Sequence, residues 1–198
     1  MDLALDTCTP RLTLTAGTAA RRATFIAPED RRSNKHLSIG LDEVCGRIHS
    51  SPAALRGLYF TIGPGSFTGT RIGIAYALGL AFGRPVGLHP VSTLFAMALA
   101  GEKGEVVPLL PAGRDLWYAA RYRIGRRLVE LAPPAVIAAA DLARAARGAE
   151  ALVLPGLTPP PFEARALDRP LSEILFLHRA RCGRPSARVE PLYLRSFS

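Results

Sequence analysis

The stretch Gly63-Pro64-Gly65-Ser66-Phe67-Thr68-Gly69-Thr70-Arg71, with the helix predicted after it, constrains this chain more than any other. Gly57-Leu58-Tyr59-Phe60-Thr61-Ile62 precedes it and reads as a short buried strand, apolar, β-branched and aromatic. Ile72 to Gly83 follows and reads as a helix, stopped by Arg84-Pro85. The unit is therefore strand, glycine loop, helix. Ser66, Thr68 and Thr70 can each cap the helix. Free N–H groups at such a start can hold an anion. The loop lacks the Gly-Lys-Ser/Thr of a P-loop, and its third glycine, Gly69, comes one residue late for a dinucleotide fingerprint. A phosphate cradle and a tight backbone crossing both remain open.

The helix itself is more informative. From Thr70 to Gly83 it carries one charge, Arg71. Gly69, Gly73, Ala77 and Ala81 recur every fourth residue, which places small side chains in one stripe. Ile72, Tyr76 and Leu80, and Ile74, Leu78 and Phe82, cover other faces. A helix apolar all round is buried all round. The run is too short to cross a bilayer. Either the helix is central in its own domain, or a second subunit completes one face.

Residues 63–73 resemble the signature of the TsaB (YeaZ) family, whose members partner the TsaD enzyme in making threonylcarbamoyladenosine on tRNA. Ala4-Leu5-Asp6-Thr7, Val91-Ser92-Thr93-Leu94 and Glu190-Pro191-Leu192-Tyr193-Leu194-Arg195 support the resemblance, which is dense over residues 1–100 and sparse from 101 to about 185.

Charge and cysteine content narrow the class. The net charge is +9 and almost entirely arginine, with Lys35 and Lys103 the only lysines. Such a balance suits nucleic acid. The arginines are nevertheless scattered (Arg21-Arg22, Arg31-Arg32, Arg126-Arg127, Arg144, Arg147, Arg179, Arg181, Arg184), with no aromatic-interleaved stripe. A solvated surface and direct RNA contact both fit. Cys8, Cys45 and Cys182 are widely spaced and odd in number, so they read as small apolar residues rather than a disulfide framework or zinc site. With no signal peptide expected, they fit a reducing cytoplasm.

Taken in order, Leu3–Leu5, Leu12–Thr15 and Arg22–Ala27 read as an antiparallel meander, followed by a polar loop from Pro28 to Arg32. A helix over 34–49, capped by Ser33 or Asn34, has Leu37, Leu41, Val44, Cys45 and Ile48 on one face. After strand 57–62 and the central helix come a strand at 85–88 and a helix at 92–100. The order is β-β-β-α-β-α-β-α. Gly101 to Gly104 is a candidate boundary. Beyond it, 106–110, 116–122, 128–131 and 151–154 read as strands, 142–147 and 170–183 as helices, and Leu157 to Pro161 as a proline-rich turn.

By the resemblance, the fold is α/β and actin-like (ASKHA, ribonuclease H-like). It implies two small α/β domains with mixed sheets, 1–100 binding the partner and 101–198 a reduced second domain, with helix 171–183 packing back on the first. Asp6 and Thr7 stand where this superfamily makes its first phosphate and metal contact, with Gly65 and Ser66 as further candidates; a strand-end aspartate is also an ordinary turn residue. The chain has no Gly-Gly pair, which ATP-binding members use to approach the nucleotide. Thr93 and Met97 match the two metal-binding histidines of TsaD, and His36, His49, His89 and His178 are isolated. The family's Asp-Ala-Arg segment is altered in Leu110-Pro111-Ala112-Gly113-Arg114-Asp115, its aspartate missing or displaced to Asp115.

The expectation is a non-catalytic, cytoplasmic subunit, with no catalytic residue and no metal ligand of its own. Its partner interface would use Leu37, Leu41, Val44, Gly69, Gly73, Tyr76, Ala77, Leu80 and Ala81. Its partners would be TsaD as heterodimer, TsaE in a ternary assembly, a second copy when alone, and tRNA through the complex, with no membrane. It would hold no cofactor by itself, with ATP/ADP or Mg2+ at the complex interface. The alternative is a small-molecule kinase, ATPase or metallopeptidase of related fold.

Overall fold

The computed structural model describes residues 1–18, 20–28, 33–157 and 159–194, with the side chains of Ser33 and Asn34 left out. The Ser33 or Asn34 cap, most of the loop from Pro28 to Arg32, Arg31-Arg32, Thr158 and Arg195 of the C-terminal motif therefore lie outside the described residues or side chains.

Two five-stranded mixed sheets form the frame. In the first, β1 (Asp2–Asp6), β2 (Thr13–Gly17) and β3 (Arg22–Ile26) make the antiparallel meander, and β4 (Gly57–Thr61) and β5 (Gly87–Val91) add in parallel on the other side of β1. The order is β3-β2-β1-β4-β5. The second has the order β10-β9-β6-β7-β8, from β6 (Gly104–Gly113), β7 (Leu116–Ile124), β8 (Leu128–Ala138), β9 (Glu150–Val153) and β10 (Arg165–Ala166). β8 runs seven residues past its expected end at Leu131, through Pro133-Pro134. As an edge strand it loses no inner ladder bond to proline.

Alternation along β1 sorts the layers, because successive side chains point to opposite faces. Leu3 and Leu5 join Leu14, Phe25 and Phe60 under α1 (Ser33–Arg47) and α2 (Phe67–Ala81). Ala4 points the other way, into a core with Leu94, Met97, Val106, Leu110, Tyr122, Leu171 and Leu175. That second core contains α3 (Thr93–Ala98) and α5 (Leu171–Leu177), and draws on strands of both sheets. A smaller core, with Val107, Leu109, Trp117 and Leu142, lies beneath α4 (Leu142–Ala145) on the far side of the second sheet.

α5 is bound to the first sheet by polar contacts as well. The Thr15 and Ser172 hydroxyls are 2.9 Å apart, the Ser172 N–H donates to Thr13 Oγ1 at 3.3 Å, and Arg179 Nε donates to Asp2 Oδ2 at 2.7 Å. The helix expected over 170–183 is shorter, ending at Leu177, with a 3-10 turn at Arg179–Arg181. No described helix is long and apolar enough to cross a membrane.

Candidate functional site

The carboxyl ends of β1 and β4 meet the start of α2, where the two best sequence motifs converge. Asp6 ends β1 and is completely buried. Its Oδ1 accepts from the Cys8 N–H at 3.0 Å and the Thr61 hydroxyl at 2.7 Å, and its Oδ2 accepts from the Thr9 hydroxyl. Burial pushes its carboxyl above the ordinary range, against the lowering effect of those donors. Thr7 Oγ1 donates to Gly69 O at 2.7 Å, and Cys8 Sγ lies 3.3 Å from Thr70 Oγ1. Burial, with Asp6 nearby, pushes the Cys8 thiol up to about 11. Cys8 is thus an inert buried group.

The glycines are there for close approach. A Cβ at Gly69 would overlap Thr7 O, one at Gly65 would overlap Cys8 O, and one at Gly73 would overlap Thr7 Oγ1. Gly63 and Gly65 also have φ of +100° and +149°, where side chains are strained. Ser66, one of the three cap candidates, caps α2: its Oγ accepts from the Gly69 N–H at 3.1 Å. On the other side lies the C-terminal segment. Leu192 N–H donates to Ile62 O at 2.7 Å, Arg71 Nε donates to the Tyr193 hydroxyl at 3.1 Å, and Phe67 and Tyr193 rings lie 5.1 Å apart.

This geometry favours the tight backbone crossing over the phosphate cradle. Asp6 faces hydroxyls and an amide, and the start of α2 faces the carbonyls of Thr7 and Cys8, which occupy the place an anion would need. The recess bounded by Pro64, Gly65, Phe67, Tyr118 and Leu192–Leu194 measures about 10 Å3, room for roughly one water. Asp6, Thr7, Gly65 and Ser66 thus form a locked backbone crossing. Thr93 and Met97 are fully buried. Among the described residues no group of three or more His, Cys, Asp and Glu is placed to hold a metal.

Six of the nine expected interface residues are corrected, being buried within the chain itself. Leu37, Leu41, Val44, Gly69, Gly73 and Ala77 are buried against the chain's own sheet and the β1 turn. Tyr76, Leu80 and Ala81 are half-buried, and the Tyr76 hydroxyl donates to Leu37 O on α1 at 3.3 Å. What α2 offers outward is Thr68, Arg71, Ala75, Leu78, Gly79 and, just past its end, Phe82. Leu78 is 44% exposed and Phe82 87%, and on α1 Ile39 is 48% exposed. A helical stripe shows which side chains share a face; it does not show which face looks inward. The hydroxyls around Asp6 and the Leu192–Tyr193 contacts also escaped the sequence reading, although Thr7, Thr9 and Thr61 cluster at the ends of predicted strands.

Comparison with known proteins agrees with this architecture. The family model described as TsaD: tRNA N6-adenosine threonylcarbamoyltransferase matches residues 24–157, more than half of the chain. A Haemophilus influenzae protein named tRNA threonylcarbamoyladenosine biosynthesis protein TsaB is 35% identical over 98 residues, covering 50% of this chain and 42% of its own. A Bacillus subtilis protein of the same name is 33% identical over 86 residues, covering 42% of this chain and 38% of its own. The matched segment thus spans less than half the length of either curated relative. The solved structure of YeaZ from Pseudomonas aeruginosa superposes with a TM-score of 0.78 at 22% identity, covering 98% of this chain and 99% of that one, so the two share a fold. Both curated relatives carry the name TsaB, and the family model, which spans more than half of the chain, carries the transferase's name; the chain belongs to this TsaD family.

Proposed function

We propose that the chain acts in threonylcarbamoyladenosine biosynthesis on tRNA as a non-catalytic subunit that docks a TsaD-type transferase. The names of its curated relatives support the pathway. One observation carries the docking role: the outward face of α2 bears Ala75, Leu78, Gly79 and Phe82 with Arg71 as its only charge. Large exposed apolar side chains on one helix face mark a surface that another protein covers. The locked loop supports the non-catalytic reading, since it leaves no space for a nucleotide beside Asp6. A second copy of the chain would compete for the same face when the partner is absent.

The test is size-exclusion chromatography of the chain alone, with a TsaD-type partner, and with both that partner and a TsaE-type ATPase. Leu78→Glu/Phe82→Glu should keep the wild-type circular dichroism spectrum and lose the heterodimer peak. The chain alone should neither hydrolyse ATP nor modify tRNA. Unchanged co-elution of the double variant would place the docking surface elsewhere, and turnover by the isolated wild-type chain would overturn the non-catalytic assignment.

A further inference from the structure

A second recess lies at the opposite end of the first sheet, between the β2–β3 turn and the end of α5. It measures about 140 Å3 and is lined by Thr18, Ala20, Arg21, Arg22, Phe176, Leu177 and Arg179. Three arginines and no carboxylate line it. The two nearest acids are already engaged: Asp2 by Arg179 at 2.7 Å, and Glu173 by Arg169 at 2.9 Å and Arg22 at 3.4 Å. Among the described residues Arg21 enters no ion pair and its guanidinium makes no hydrogen bond.

The turn backbone and Arg179 are held in place. The turn is closed by Thr18 N–H donating to Arg21 O at 2.8 Å, and the Thr18 hydroxyl accepts from the Ala20 and Arg21 N–H groups at 3.2 and 3.3 Å. Arg179 is held by Asp2, by Phe176 O at 2.7 Å through Nη1, and by the Phe176 ring at 4.4 Å. Its Nη2 has no hydrogen-bond partner among the described residues. Three arginines lining one recess, with Phe176 and Leu177 beside them, supply the charge and the fork-shaped donors that a phosphate takes. We infer that this recess binds a phosphate group through Arg21, Arg22 and Arg179. The phosphate can belong to an RNA backbone or to a free phosphate, and the chemistry of the site is the same for both. Only the choice of tRNA as a probe rests on the function proposed above.

The experiment uses the full chain with bulk tRNA and with inorganic phosphate, comparing Arg21→Gln/Arg22→Gln with the control pair Arg126→Gln/Arg127→Gln at the distant β7–β8 turn. Both pairs remove the same charge. If RNA is the ligand, the first pair should weaken tRNA binding about ten-fold and flatten its log–log salt dependence by about 2, with little change in the control. If free phosphate is the ligand, phosphate should raise the melting temperature of wild type and of the control but not of the first pair, with tRNA binding equal in all three. Equal weakening by both pairs, or no effect of either with no stabilisation by phosphate, overturns the site. Should the double variant fold poorly, Arg21→Gln alone reads the same contrast, because its guanidinium supports nothing else.

Discussion

The inner and outer faces of α2 carry side chains of similar polarity and meet opposite surroundings. Inward, Gly69, Gly73 and Ala77 let the helix axis approach β1 and its turn until Thr7 bonds directly to the helix backbone. Outward, Ala75, Leu78, Gly79 and Phe82 meet water. Size separates the two faces more than hydrophobicity does. Small residues mark the face where backbones touch, and larger ones the face left for a partner to cover.

Ala77→Arg should sharpen that contrast most. Ala77 is fully buried, and an unpaired charge there costs several kcal/mol. Loss of the cooperative melt is expected by circular dichroism; a folded variant that merely fails to bind a partner would reverse the assignment of the two faces. Gly73→Ala should cost about 1–3 kcal/mol by forcing Thr7 away from Gly69 O. Urea denaturation of Gly73→Ala, Thr7→Ala and their double variant reads this directly. The double should cost less than the sum, because removing Oγ1 makes room for the methyl; strict additivity would mean the two do not touch.

The smallest expected effect concerns Asp6, beside the inner face. Its folded-state pKa is raised by burial above the ordinary 3.8. A raised acid contributes its stability below the unfolded value and loses it as pH rises through the folded value. Asn at this position can accept from Cys8 and Thr61 and donate to Thr9, whose hydroxyl can turn to Arg11 O at 3.2 Å. The melting temperature of Asp6→Asn relative to wild type should therefore climb between pH 4 and pH 8. A relative fall over that range would mean that the three donors outweigh burial and hold the carboxylate charged.

The strand–loop–helix unit, the meander and the length of α1 were legible because each rests on local periodicity or on glycine and proline. The orientation of α2 was not, since the stripe fits a sheet and a foreign helix equally well. The environment of Asp6 was hidden for a different reason. Thr61 is 55 residues away, and two hydroxyls with one backbone N–H satisfy this buried carboxylate with no charge motif at all. β10 is two residues long and carries no pattern. The recess at Arg21, Arg22 and Arg179 joins residues that the sequence shows only as two entries in a scatter of arginines.

α5 has a consequence for how the protein is made. Its contacts with the first sheet join Thr15 to Ser172 and Asp2 to Arg179, 157 and 177 residues apart. A nascent chain that has released only β1 to α3 has one face of its sheet under α1 and α2 and the other covered by α3 alone. That face waits for the whole second sheet to be synthesised before α5 emerges from the ribosome. Long waits of this kind slow folding and expose apolar surface to other chains. Early strands therefore stay partly uncovered until a helix more than 150 residues later has left the ribosome.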